Sequence, residues 1–459
     1  MHTLAQLQSG ELHQNKIKRL QIAEGLTSFP MEIIKLADSL EVLDLSNNRL
    51  SSLPDEFEQL QQLKILFLSF NCFTDIPDVI AKCPKLEMIG FKANQITTVA
   101  EDCFPVDTRW LILTDNNIEQ LPQSIGKLHR LQKFAMAGNK LNNLPPSMSQ
   151  CTSLELLRIS ANELTVIPDW LFKLPNLAWL AFSGNPITAP VINSDDAAVN
   201  SGCALTPMAQ LSLGEQLGQG ASGVIYQAQW QQDSGTALDV AVKIFRGAVT
   251  SDGYPKDELH CCLQAGFHPN LIGVLGFIAD ADNLGLVMEL IPQRYYNLGL
   301  PPSLETCTRD TFCDDMDISL RQIVTVMRSM AAALAHLHQH KVSHGDIYAH
   351  NTMIDSDANM LFGDFGAATD LSALAVEQAA YMQAIEVRAL GNMLDDILGH
   401  FNEFTGHDNN QLRLATADSQ IISQLSQIVS SCLQADVAMR PQFIHIQQQL
   451  ATIQQQLLD

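Results

Sequence analysis

The stretch Leu40-Glu-Val-Leu-Asp-Leu-Ser-Asn-Asn-Arg-Leu-Ser-Ser-Leu-Pro54 sets the pattern of the first half of the chain. Its leucines have the spacing leucine-x-x-leucine-x-leucine, and an asparagine follows them at position 48. A proline comes six residues after that asparagine. The pattern returns every 22 or 23 residues, with the asparagine at Asn48, Asn71, Asn94, Asn116, Asn139, Asn162 and Asn185. Seven copies in register indicate an internal repeat rather than chance spacing. A weaker copy at residues 17–30 lacks the asparagine, as an atypical capping repeat does.

The repeats predict a solenoid. One repeat cannot bury its leucines alone, whereas stacked copies form a continuous core with one short strand in each repeat. The asparagine can bind backbone groups where each strand turns toward the convex side. Over roughly residues 15–190 the chain resembles the leucine-rich-repeat family. The resemblance implies an α/β solenoid, which we assign to residues 1–190, with about seven or eight repeats of ~23 residues.

One outward column of the predicted strands is mostly apolar. In each repeat the residue before the second leucine points out of the sheet. This column reads Val42, Ile65, Met88, Trp110, Lys133, Leu156 and Trp179, and the neighbouring column adds Phe67 and Ile112. A contiguous apolar patch marks an interaction surface, so we expect this face to bind a protein or the chain's own second domain. The alternative is that a strand surface simply accommodates β-branched and aromatic side chains.

Composition and charge narrow the functional classes. The 459 residues allow two or three domains, and 46% apolar against 17% charged residues indicates a globular protein. A net charge of −23 argues against nucleic acid and anionic membrane surfaces as partners. Neither a secretory signal nor an apolar run long enough to span a membrane is present. The ten scattered cysteines favour free thiols, and we therefore expect a cytoplasmic protein.

The repeat pattern stops after residue 186. Proline, serine, asparagine, aspartate and alanine then dominate, and the segment 194–202 has no periodicity. We assign residues 191–210 to a linker. Apolar alternation resumes near Leu211, where a second domain begins.

A glycine-rich motif opens this second domain. The sequence Leu217-Gly-Gln-Gly-Ala-Ser-Gly-Val224 follows a strand-like segment, and its glycines allow backbone N–H groups to approach phosphate oxygens. The same spacing can open a dinucleotide-binding unit, but there it leads into a helix. Here Val224-Ile-Tyr-Gln-Ala continues as strand formers, which favours a strand–turn–strand cover over a nucleotide.

A lysine in an apolar strand follows. In Asp239-Val-Ala-Val-Lys-Ile-Phe245 the lysine is flanked by valine and isoleucine. A lone lysine on a strand is commonly a solvated edge residue, but these flanks predict partial burial, which requires an anionic partner. Nucleotide phosphates and a helical glutamate would supply it. We expect Glu258 to be that glutamate, with Asp257 as its rival.

More distinctive motifs lie further on. The chain carries His344-Gly-Asp-Ile-Tyr-Ala-His-Asn351, then Gly363-Asp-Phe-Gly366, and between these and the glycine-rich motif Val287-Met-Glu-Leu-Ile291. The stretches Glu386-Val-Arg-Ala-Leu-Gly391 and Arg440-Pro441 complete the series. Five ordered motifs resemble the eukaryotic-type protein kinase family over residues 211–457. The whole chain thus resembles a bacterial-type leucine-rich-repeat protein kinase, a solenoid followed by a two-lobed α+β fold.

The kinase resemblance implies the site. ATP and Mg²⁺ would be bound, with Asp346 and Lys243 as catalytic residues and Asn351 and Asp364 as metal ligands. Met288 would take the gatekeeper position, and His344 would be structural. The implied nucleotide-binding residues are Leu217, Gly218, Gly220, Gly223, Val224, Ala241, Lys243, Glu258, Met288, Glu289 and Ile291. The acceptor would be a protein hydroxyl, with serine or threonine favoured over tyrosine; tyrosine stays open, since the loop lacks the cation that distinguishes the two classes.

The motifs depart from the family pattern in three places. Gly345 replaces the arginine that receives an activation-loop phosphate, which implies independence from such phosphorylation. Tyr348 and His350 stand where the family has a cation near the γ-phosphate, so a protonated His350 would make activity depend on pH. The segment from Asp364 to Glu386 is short, with Ala375-Val-Glu377 as the nearest match to Ala-Pro-Glu.

These departures leave two other functions open. A leucine-rich-repeat scaffold with a nucleotide-binding pseudokinase is the first, and a small-molecule kinase is the second. Four histidines, His336, His338, His340 and His344, also invite a zinc site. On a helix, however, His338 points away from His336 and His340, and no cysteine or glutamate completes a ligand set, so a structural role is favoured.

Overall fold

The computed structural model describes residues 1–188, 203–220, 222–232, 235–247, 249–250, 252–280, 283–407 and 416–458. The predicted linker segment 194–202 lies outside the described residues. Two compact units divide the chain. The first contains Met1–Leu177 and Asn185–Ile187, and the second contains Ala178–Gly184 and Thr188–Asp459.

The first unit has the parallel strands that the repeats predict. It begins with the short helices α1 (Leu4–Gln8) and α2 (Glu11–Gln14). One three-residue strand then follows in each repeat: β1 (Arg19–Gln21), β2 (Val42–Asp44), β3 (Ile65–Phe67), β4 (Met88–Gly90), β5 (Trp110–Ile112), β6 (Lys133–Ala135) and β7 (Leu156–Arg158). These strands pair in chain order, all parallel. The solenoid fold is confirmed.

Short 3₁₀ helices return the chain on the other side of the repeats. They span Met31–Leu36, Asp55–Gln59, Asp78–Lys82, Gln123–Lys127, Pro146–Gln150 and Leu171–Lys173. Several begin directly after the repeated proline, as at Pro54 and Pro122. Proline thus occupies the N-cap of these helices, where its missing N–H removes no hydrogen bond of the helix itself.

The repeated asparagines form a buried hydrogen-bond ladder. Asn71, for example, donates from its amide nitrogen to the carbonyls of Leu45 (3.0 Å) and Leu68 (3.1 Å). Its amide oxygen accepts the backbone N–H of Leu50 at 2.9 Å. The side chain therefore joins one repeat to the previous one and satisfies the backbone groups that the turn leaves unpaired.

The residue before each ladder asparagine has a left-handed backbone. These residues are Asn47, Phe70, Ala93, Asp115, Gly138, Ala161 and Gly184, with φ between 52° and 73°. Only two of them are glycines, so the turn itself accepts a side chain at this position. Something other than backbone conformation must select glycine where it occurs.

The predicted outward column lies in register across the first unit. Val42, Ile65, Met88, Trp110, Lys133 and Leu156 are direct neighbours on successive strands. The Lys133 ammonium lies 4.3 Å from the centre of the Trp110 ring, a cation–π distance. In the next column the Phe67 ring covers Gly90, where a Cβ atom would come within 2.8 Å of it.

The second unit opens with the strand of the last repeat, β8 (Trp179–Ala181). A six-stranded sheet follows: β9 (Ala204–Leu205), β10 (Leu211–Gln219), β11 (Gly223–Gln231), β12 (Ala237–Phe245), β13 (Val274–Ala279) and β14 (Leu284–Glu289), in the spatial order β10-β11-β12-β14-β13-β9. Helix α3 (Pro255–Ala265) lies between β12 and β13 in the chain. Trp230, Val240 and Ile278 belong to the apolar core of this sheet.

Strand β9 occupies the end of the segment that sequence patterning assigned to the linker. It pairs in parallel with β13, and Thr206 donates its N–H to the carbonyl of Phe277 at 2.8 Å. A two-residue strand has too short an alternation to be recognised from sequence, and its partner is about seventy residues away.

The remainder of the second unit is largely helical. Its helices are α4 (Leu320–Gln339), α5 (Val376–His407), α6 (Thr416–Cys432) and α7 (Phe443–Gln456). Its short strands are β15 (Tyr296–Asn297), β16 (Val342–Ser343), β17 (Thr352–Ile354), β18 (Met360–Phe362) and β19 (Thr369–Asp370). Helix α4 starts at a capping box of Ser319 and Gln322. A sheet-rich part and a helical part thus make the predicted α+β fold.

Helix α4 shows the pattern of a buried helix. Ile323, Met327, Met330, Leu334 and Leu337 recur at helical spacing and are all buried. Within the described residues, no helix is long and apolar enough to cross a membrane.

Candidate active site

A cleft of about 620 Å³ lies in the second unit, between the strands β10–β14 and the segments that follow α4. Most of the residues that the sequence assigned to nucleotide and metal line it: Leu217, Gly218, Gly220, Gly223, Ala241, Lys243, Glu258, Met288, Glu289, Ile291, Asn351 and Asp364. Residues about 150 positions apart in the chain are therefore brought to one cavity. Asp346 and Val224 are the two exceptions and are described below.

Lys243 and Glu258 form a buried ion pair. Strand β12 carries Lys243 and helix α3 carries Glu258, and the two residues are 8% and 3% exposed. The ammonium donates a hydrogen bond to a carboxylate oxygen of Glu258. A second carboxylate, that of Asp364, lies 3.8 Å from the Lys243 nitrogen. The lysine thus joins the sheet, the helix and the Asp-Phe-Gly loop at one point.

The charge state of Lys243 follows from its two acidic neighbours. Burial by itself lowers the pKa of Lys243, because a charged group loses water there. The carboxylates of Glu258 and Asp364 outweigh this effect, so its pKa is raised above the ordinary value. Lys243 is therefore a permanent cation at the edge of the cleft.

Asp257, the rival partner for the lysine, has a different environment. It is 8% exposed, and its Oδ2 atom has no hydrogen-bond partner among the described residues. Burial raises the pKa of Asp257 to about 6, although Lys256 and His260 nearby oppose the shift. Successive residues of a helix point about 100° apart, which is why only one of the two acids reaches the cleft.

The loop between β16 and β17 carries Asp346 and Asn351. The Asn351 amide nitrogen donates to the Asp346 carboxylate at 2.7 Å and to the Asp346 carbonyl at 3.0 Å. Asn351 reaches into the cleft, whereas half-buried Asp346 lies outside its lining. The amide therefore fixes the carboxylate of Asp346 beside the cavity.

His344 ties this loop to the Asp-Phe-Gly loop. It is fully buried, and burial lowers its pKa, so the ring is neutral. The Asp346 N–H donates to Nδ1 at 3.3 Å, which leaves Nε2–H to donate to the carbonyl of Gly363 at 3.0 Å. The ring also stacks on Phe362 at 4.0 Å. A neutral imidazole in this tautomer can accept a hydrogen bond from one loop and donate a hydrogen bond to the other.

The surroundings of position 345 require a glycine. Its φ is +74°, and a Cβ atom there would come within 2.5 Å of the Ala367 carbonyl oxygen. Its N–H donates to the carboxylate of Glu386 at 2.6 Å. The backbone between His344 and Asp346 thus packs directly on the segment after Asp364, which leaves no room for a longer side chain.

Tyr348 and His350, which replace the family's cation, are both engaged. The Tyr348 ring stacks on the Trp179 indole with 4.7 Å between centres and 5° between planes. His350 lines the cleft, and its Nδ1 lies 3.4 Å from the Asp310 carboxylate. Asp310 also accepts the Ala349 N–H at 2.9 Å, so it anchors this turn.

Besides Asp346, Val224 is the predicted site residue that does not line the cleft. Val224 is fully buried on the other face of β11, and Ile225 lines the cavity instead. Successive residues of a strand point to opposite faces, so a one-residue error in register exchanges the two. Met353 of β17 was also missed, although its position two residues after Asn351, in an apolar strand, is a usable signal.

The segment after Asp364 is short because α5 begins early. Strand β19 pairs with β16, and α5 starts at Val376, so Ala375-Val-Glu377 marks a helix start. Asp370 in β19 is held by the side chains of His260 (3.2 Å) and Gln264 (3.1 Å) of α3. Burial raises the pKa of Asp370, but hydrogen bonds, first that from His260, lower it to about 2.

The histidines of α4 have protein partners. His336 Nε2 lies 2.7 Å from the Ala265 carbonyl, and His338 Nε2 lies 2.5 Å from the Glu386 carboxylate. The His340 ring packs 4.1 Å from that of His336. No cluster of three or more metal-binding side chains of the histidine, cysteine or acidic types occurs within the described part of the chain.

Asn351 and Asp364 have the chemistry of a Mg²⁺ site. Both line the cleft, and the Asp364 side chain is 56% exposed. Asn351 uses its amide nitrogen on Asp346, which leaves the amide oxygen as the atom available to a cation. Oxygen ligands of this kind suit Mg²⁺, which keeps several waters and binds phosphate oxygens as well.

Two known protein families match parts of the chain. Residues 211–389 match the family described as protein tyrosine and serine/threonine kinase, and this range includes every residue that lines the cleft. Residues 211–389 therefore form a protein kinase domain by this match. Residues 38–96 and 130–187 match the leucine rich repeat family, so a leucine-rich-repeat domain precedes the kinase domain.

Individual relatives are similar to the kinase domain. Fibroblast growth factor receptor 1 of Xenopus laevis is 27% identical over 176 residues, which is 35% of this chain and 21% of the relative. The L-type lectin-domain containing receptor kinase S.7 of Oryza sativa subsp. japonica is 31% identical over 163 residues, 35% of this chain and 21% of the relative. The serine/threonine-protein kinase PLK4 of Xenopus laevis is 28% identical over 165 residues, 34% of this chain and 15% of the relative.

The chain thus matches about a fifth or less of the length of these relatives. Their names cover both serine/threonine kinases and receptor kinases, so the match extends to the kinase domain and not to one class of acceptor.

Proposed function

We propose that this protein is an ATP-dependent protein kinase that transfers the γ-phosphate of ATP to a serine or threonine hydroxyl of a protein. The observation that supports it best is the convergence of Lys243, Glu258 and Asp364 in one cleft, with Asn351 linking that cleft to Asp346. Phosphoryl transfer depends on positioning and charge neutralisation, and these groups supply both.

Lys243 would neutralise the α- and β-phosphates. Glu258 holds its ammonium at the edge of the cleft through the buried ion pair. The backbone from Leu217 to Gly223 would cover the phosphates, because glycines let N–H groups approach oxygen atoms closely. Ile225, Ala241 and Met353 supply apolar lining for the adenine, and Glu289 and Ile291 supply backbone groups at its edge.

Asn351 and Asp364 would hold Mg²⁺, which when bound neutralises charge on the triphosphate. Asp346 would orient the acceptor hydroxyl and accept its proton as the oxygen attacks. Asn351 keeps one carboxylate oxygen of Asp346 occupied at 2.7 Å, which fixes the direction in which the other can act.

Serine or threonine is proposed as the acceptor because of the aromatic stack beside Asp346. Tyr348 and Trp179 are 4% and 1% exposed and stack on each other, and Tyr348 follows the proposed base by two residues. We propose that this rigid pair of rings limits the room for a phenol ring beside Asp346. A peptide library with serine, threonine or tyrosine acceptors tests this; dominant tyrosine labelling would reject it.

The two other functions have less support. The similarity to protein kinases does not favour a small-molecule kinase. The paired lysine and glutamate, together with the Asp346–Asn351 contact, do not favour a scaffold without catalysis.

Phosphate transfer from γ-labelled ATP to a mixture of protein acceptors tests the activity directly. Asp346→Asn should lower the rate by about 10²–10⁴-fold, the usual contribution of a general base, while nucleotide binding persists. Asp314→Asn is the matched control, since Asp314 is exposed and far from the loop in sequence. Equal labelling by wild type and Asp346→Asn would reject the assignment of Asp346.

We further propose that the repeat domain binds a protein partner through the apolar column Ile65, Phe67, Met88, Trp110, Ile112 and Leu156. Phe67, Trp110 and Ile112 are partly exposed on β3 and β5 and support a contact surface, whereas Ile65, Met88 and Leu156 are 8%, 3% and 4% exposed and are buried in the structure. Trp110→Ser should reduce capture of the partner, whereas Val166→Ser, which removes an exposed apolar side chain outside the column, should not. Unchanged capture with Trp110→Ser would count against this surface.

The cytoplasm is proposed as the site of action, because it supplies ATP and keeps thiols reduced. All ten cysteines are free. Burial raises the pKa of Cys83 and Cys151 to about 11, which keeps both protonated and unreactive. Cell fractionation tests the compartment. Recovery of the protein in the fraction of an oxidising compartment would contradict a cytoplasmic location.

A further inference from the structure

The segment Ala178–Gly184 contains the last repeat strand, yet it belongs to the same compact unit as the kinase domain. We call this segment the strap. It makes three separate contacts inside that unit, each with a different part of the proposed catalytic machinery.

The first contact is with the loop that carries Asp346. The Trp179 indole stacks face to face on Tyr348, and its Nε1–H donates to the Ile347 carbonyl at 3.0 Å. Trp179 is 1% exposed, so this hydrogen bond is shielded from water. Ile347 directly follows Asp346, so one side chain of the strap fixes both the backbone and the nearest ring of the loop.

The second contact is with the segment after Asp364. The Ser183 hydroxyl donates to the Ala368 carbonyl at 2.6 Å, and the Phe182 N–H donates to the Thr369 hydroxyl at 3.3 Å. Both acceptors lie within five residues of Asp364. The strap therefore also restrains the loop that carries a proposed metal ligand.

The third contact is with the start of α3, the helix of Glu258. A Cβ atom on Gly184 would come within 2.5 Å of the Tyr254 ring and 2.7 Å of the Asp257 carboxylate. Equivalent left-handed positions in other repeats hold Asn47, Phe70 or Ala93, so the turn does not by itself demand glycine. Close approach to α3 explains the glycine at 184.

The strap also approaches Gly345. The Leu180 carbonyl oxygen lies 3.3 Å from where a Cβ atom of Gly345 would be. The position at which kinases of this type can hold a phosphate-binding arginine is therefore occupied by backbone. The loop is restrained there by uncharged contacts with the strap instead of by an ion pair.

We propose that the strap is a built-in positioning element of the kinase domain, in which Trp179 orients Asp346 through Ile347 and Tyr348. The proposal rests on the kinase function proposed above. It assigns to Trp179 and Ser183 the role of holding the two loops in the arrangement that transfers phosphate, without phosphorylation of the short segment 365–375. Trp179 is thus a positioning residue and touches neither substrate.

The test separates turnover from binding. Trp179→Ala should lower kcat about tenfold or more, because a misplaced catalytic group loses rate steeply, while the KM for ATP changes less than about twofold. Trp179→Phe keeps a ring against Tyr348 and should retain an intermediate rate.

Trp170→Ala, which removes a tryptophan outside the strap, should match wild type. Ser183→Ala, with Ser46→Ala as its control, provides a milder second variant.

A second measurement does not depend on activity. Hydrogen–deuterium exchange of the protein without nucleotide should rise at residues 344–351 and 364–370 in Trp179→Ala and Ser183→Ala. Exchange in strands β10–β14 should stay as in wild type. This pattern would show release of the two loops without loss of the fold.

The outcomes distinguish the two proposals. If wild type transfers no phosphate but exchange rises as described, the kinase function fails, and with it the catalytic part of the strap proposal, while the restraint of the two loops by the strap is supported. If wild type is active and neither kcat nor loop exchange changes in both strap variants, the strap proposal is overturned. It is also overturned if exchange rises throughout the kinase domain, or if KM and kcat change together, since either result means a general structural role. Pretreatment with phosphatase should leave wild-type activity unchanged, and a loss would likewise overturn it.

Discussion

At the scale of single residues, Lys243 and Glu258 carry opposite charges into a nearly water-free position. Lone charges at such a position would be strongly unfavourable, and removing one member of a buried pair leaves the other without compensation. The pair therefore persists only because both members are present, and the phosphates of a nucleotide would add to the anionic partners of the lysine.

Glu258→Gln keeps the side-chain volume and removes the anion. We expect it to destabilise the kinase domain by about 3 kcal/mol and to lower kcat at least about tenfold, because the Lys243 ammonium loses its fixed partner. Chemical denaturation and steady-state kinetics measure the two effects. Exposed Glu377→Gln serves as the control. Wild-type stability in Glu258→Gln would contradict the role of the pair.

Asp257 should make stability depend on pH. Its folded pKa of about 6 lies above its ordinary value, so the folded protein holds this proton more tightly than the unfolded chain. Stability from this group is fully present at low pH and is lost as pH rises toward and past 6. At pH 7.5, Asp257→Asn should therefore have a free energy of unfolding up to about 3 kcal/mol higher than that of wild type. Urea denaturation measures this difference.

The difference between Asp257→Asn and wild type should nearly vanish at pH 4, where the wild-type carboxyl is protonated in the folded state. Exposed Asp55→Asn is the matched control for loss of a carboxylate. A stabilisation of equal size at both pH values would mean that the cause is not ionisation.

At the scale of elements, the asparagine ladder determines how repeats join. Asn116 donates to the carbonyls of Phe91 and Leu113, each at 3.0 Å, and accepts the Ile96 N–H at 3.0 Å. These backbone groups are buried and have few alternatives. In a solenoid each repeat is stabilised by its neighbours, so one lost link weakens the domain on both sides.

Asn116→Ala should thus lower the free energy of unfolding of the repeat domain by about 2–4 kcal/mol, since several buried groups lose their partner. Thermal unfolding followed by circular dichroism measures this. The adjacent Asn117→Ala changes the same side chain one position away, outside the ladder, and should have little effect. Equal losses for the two variants would show that the ladder is not the cause.

The loop of Asp346 shows a different type of element, one held by its neighbours rather than by its own periodicity. His344, Glu386 and Asp310 each bind its backbone, and the loop has hardly any regular hydrogen bonding of its own. Gly345 completes this packing because only glycine combines its positive φ with the contact to Ala367.

Gly345→Ala should therefore disturb the loop more than an ordinary Gly→Ala change. The added Cβ would overlap the Ala367 carbonyl oxygen and force the segment after Asp364 to move. We expect kcat to fall by about 10²-fold, with nucleotide affinity reduced less, as measured by turnover and calorimetric titration. Gly399→Ala, at a helical glycine in open space, is the control. Full activity of Gly345→Ala would contradict the tight contact.

At the scale of the whole molecule, the chain carries 50 acidic and 27 basic residues. ATP is itself strongly anionic, so its binding to such a chain depends on local cations rather than on the overall field. Lys243 is one such cation, and the acidic Asp364 beside it would repel phosphates unless Mg²⁺ were present.

Binding of ATP should consequently require Mg²⁺. At about 100 times its Kd, MgATP should stabilise the kinase domain by about 2.7 kcal/mol, and addition of a chelator should remove most of this effect. Differential scanning calorimetry with and without EDTA measures it. Asp364→Asn should bind ATP with a weaker dependence on Mg²⁺, and an unchanged dependence would argue against Asp364 as a ligand.

Sequence alone determined the features that have a local or periodic cause. The repeat length and the strand positions follow from leucine and asparagine spacing, because each repeat must present the same face to the next. Lys243 was singled out by its apolar flanks, whereas the roles of Asn351 and Asp364 were implied by motifs that resemble those of the protein kinase family.

Tertiary structure decided the features that depend on direction and on distant neighbours. The presence of Ile225 instead of Val224 in the cleft depends on which face of β11 meets the cavity. The sequence assigned Trp179 to a ligand-facing column, but the folded chain stacks it on Tyr348, 169 positions away. In the sequence, Gly345 is noticed only because it replaces the arginine of the family pattern. In the structure, its backbone packs closely on the Ala367 carbonyl. Sequence patterns carry local periodicity, whereas these contacts arise only when distant segments pack together.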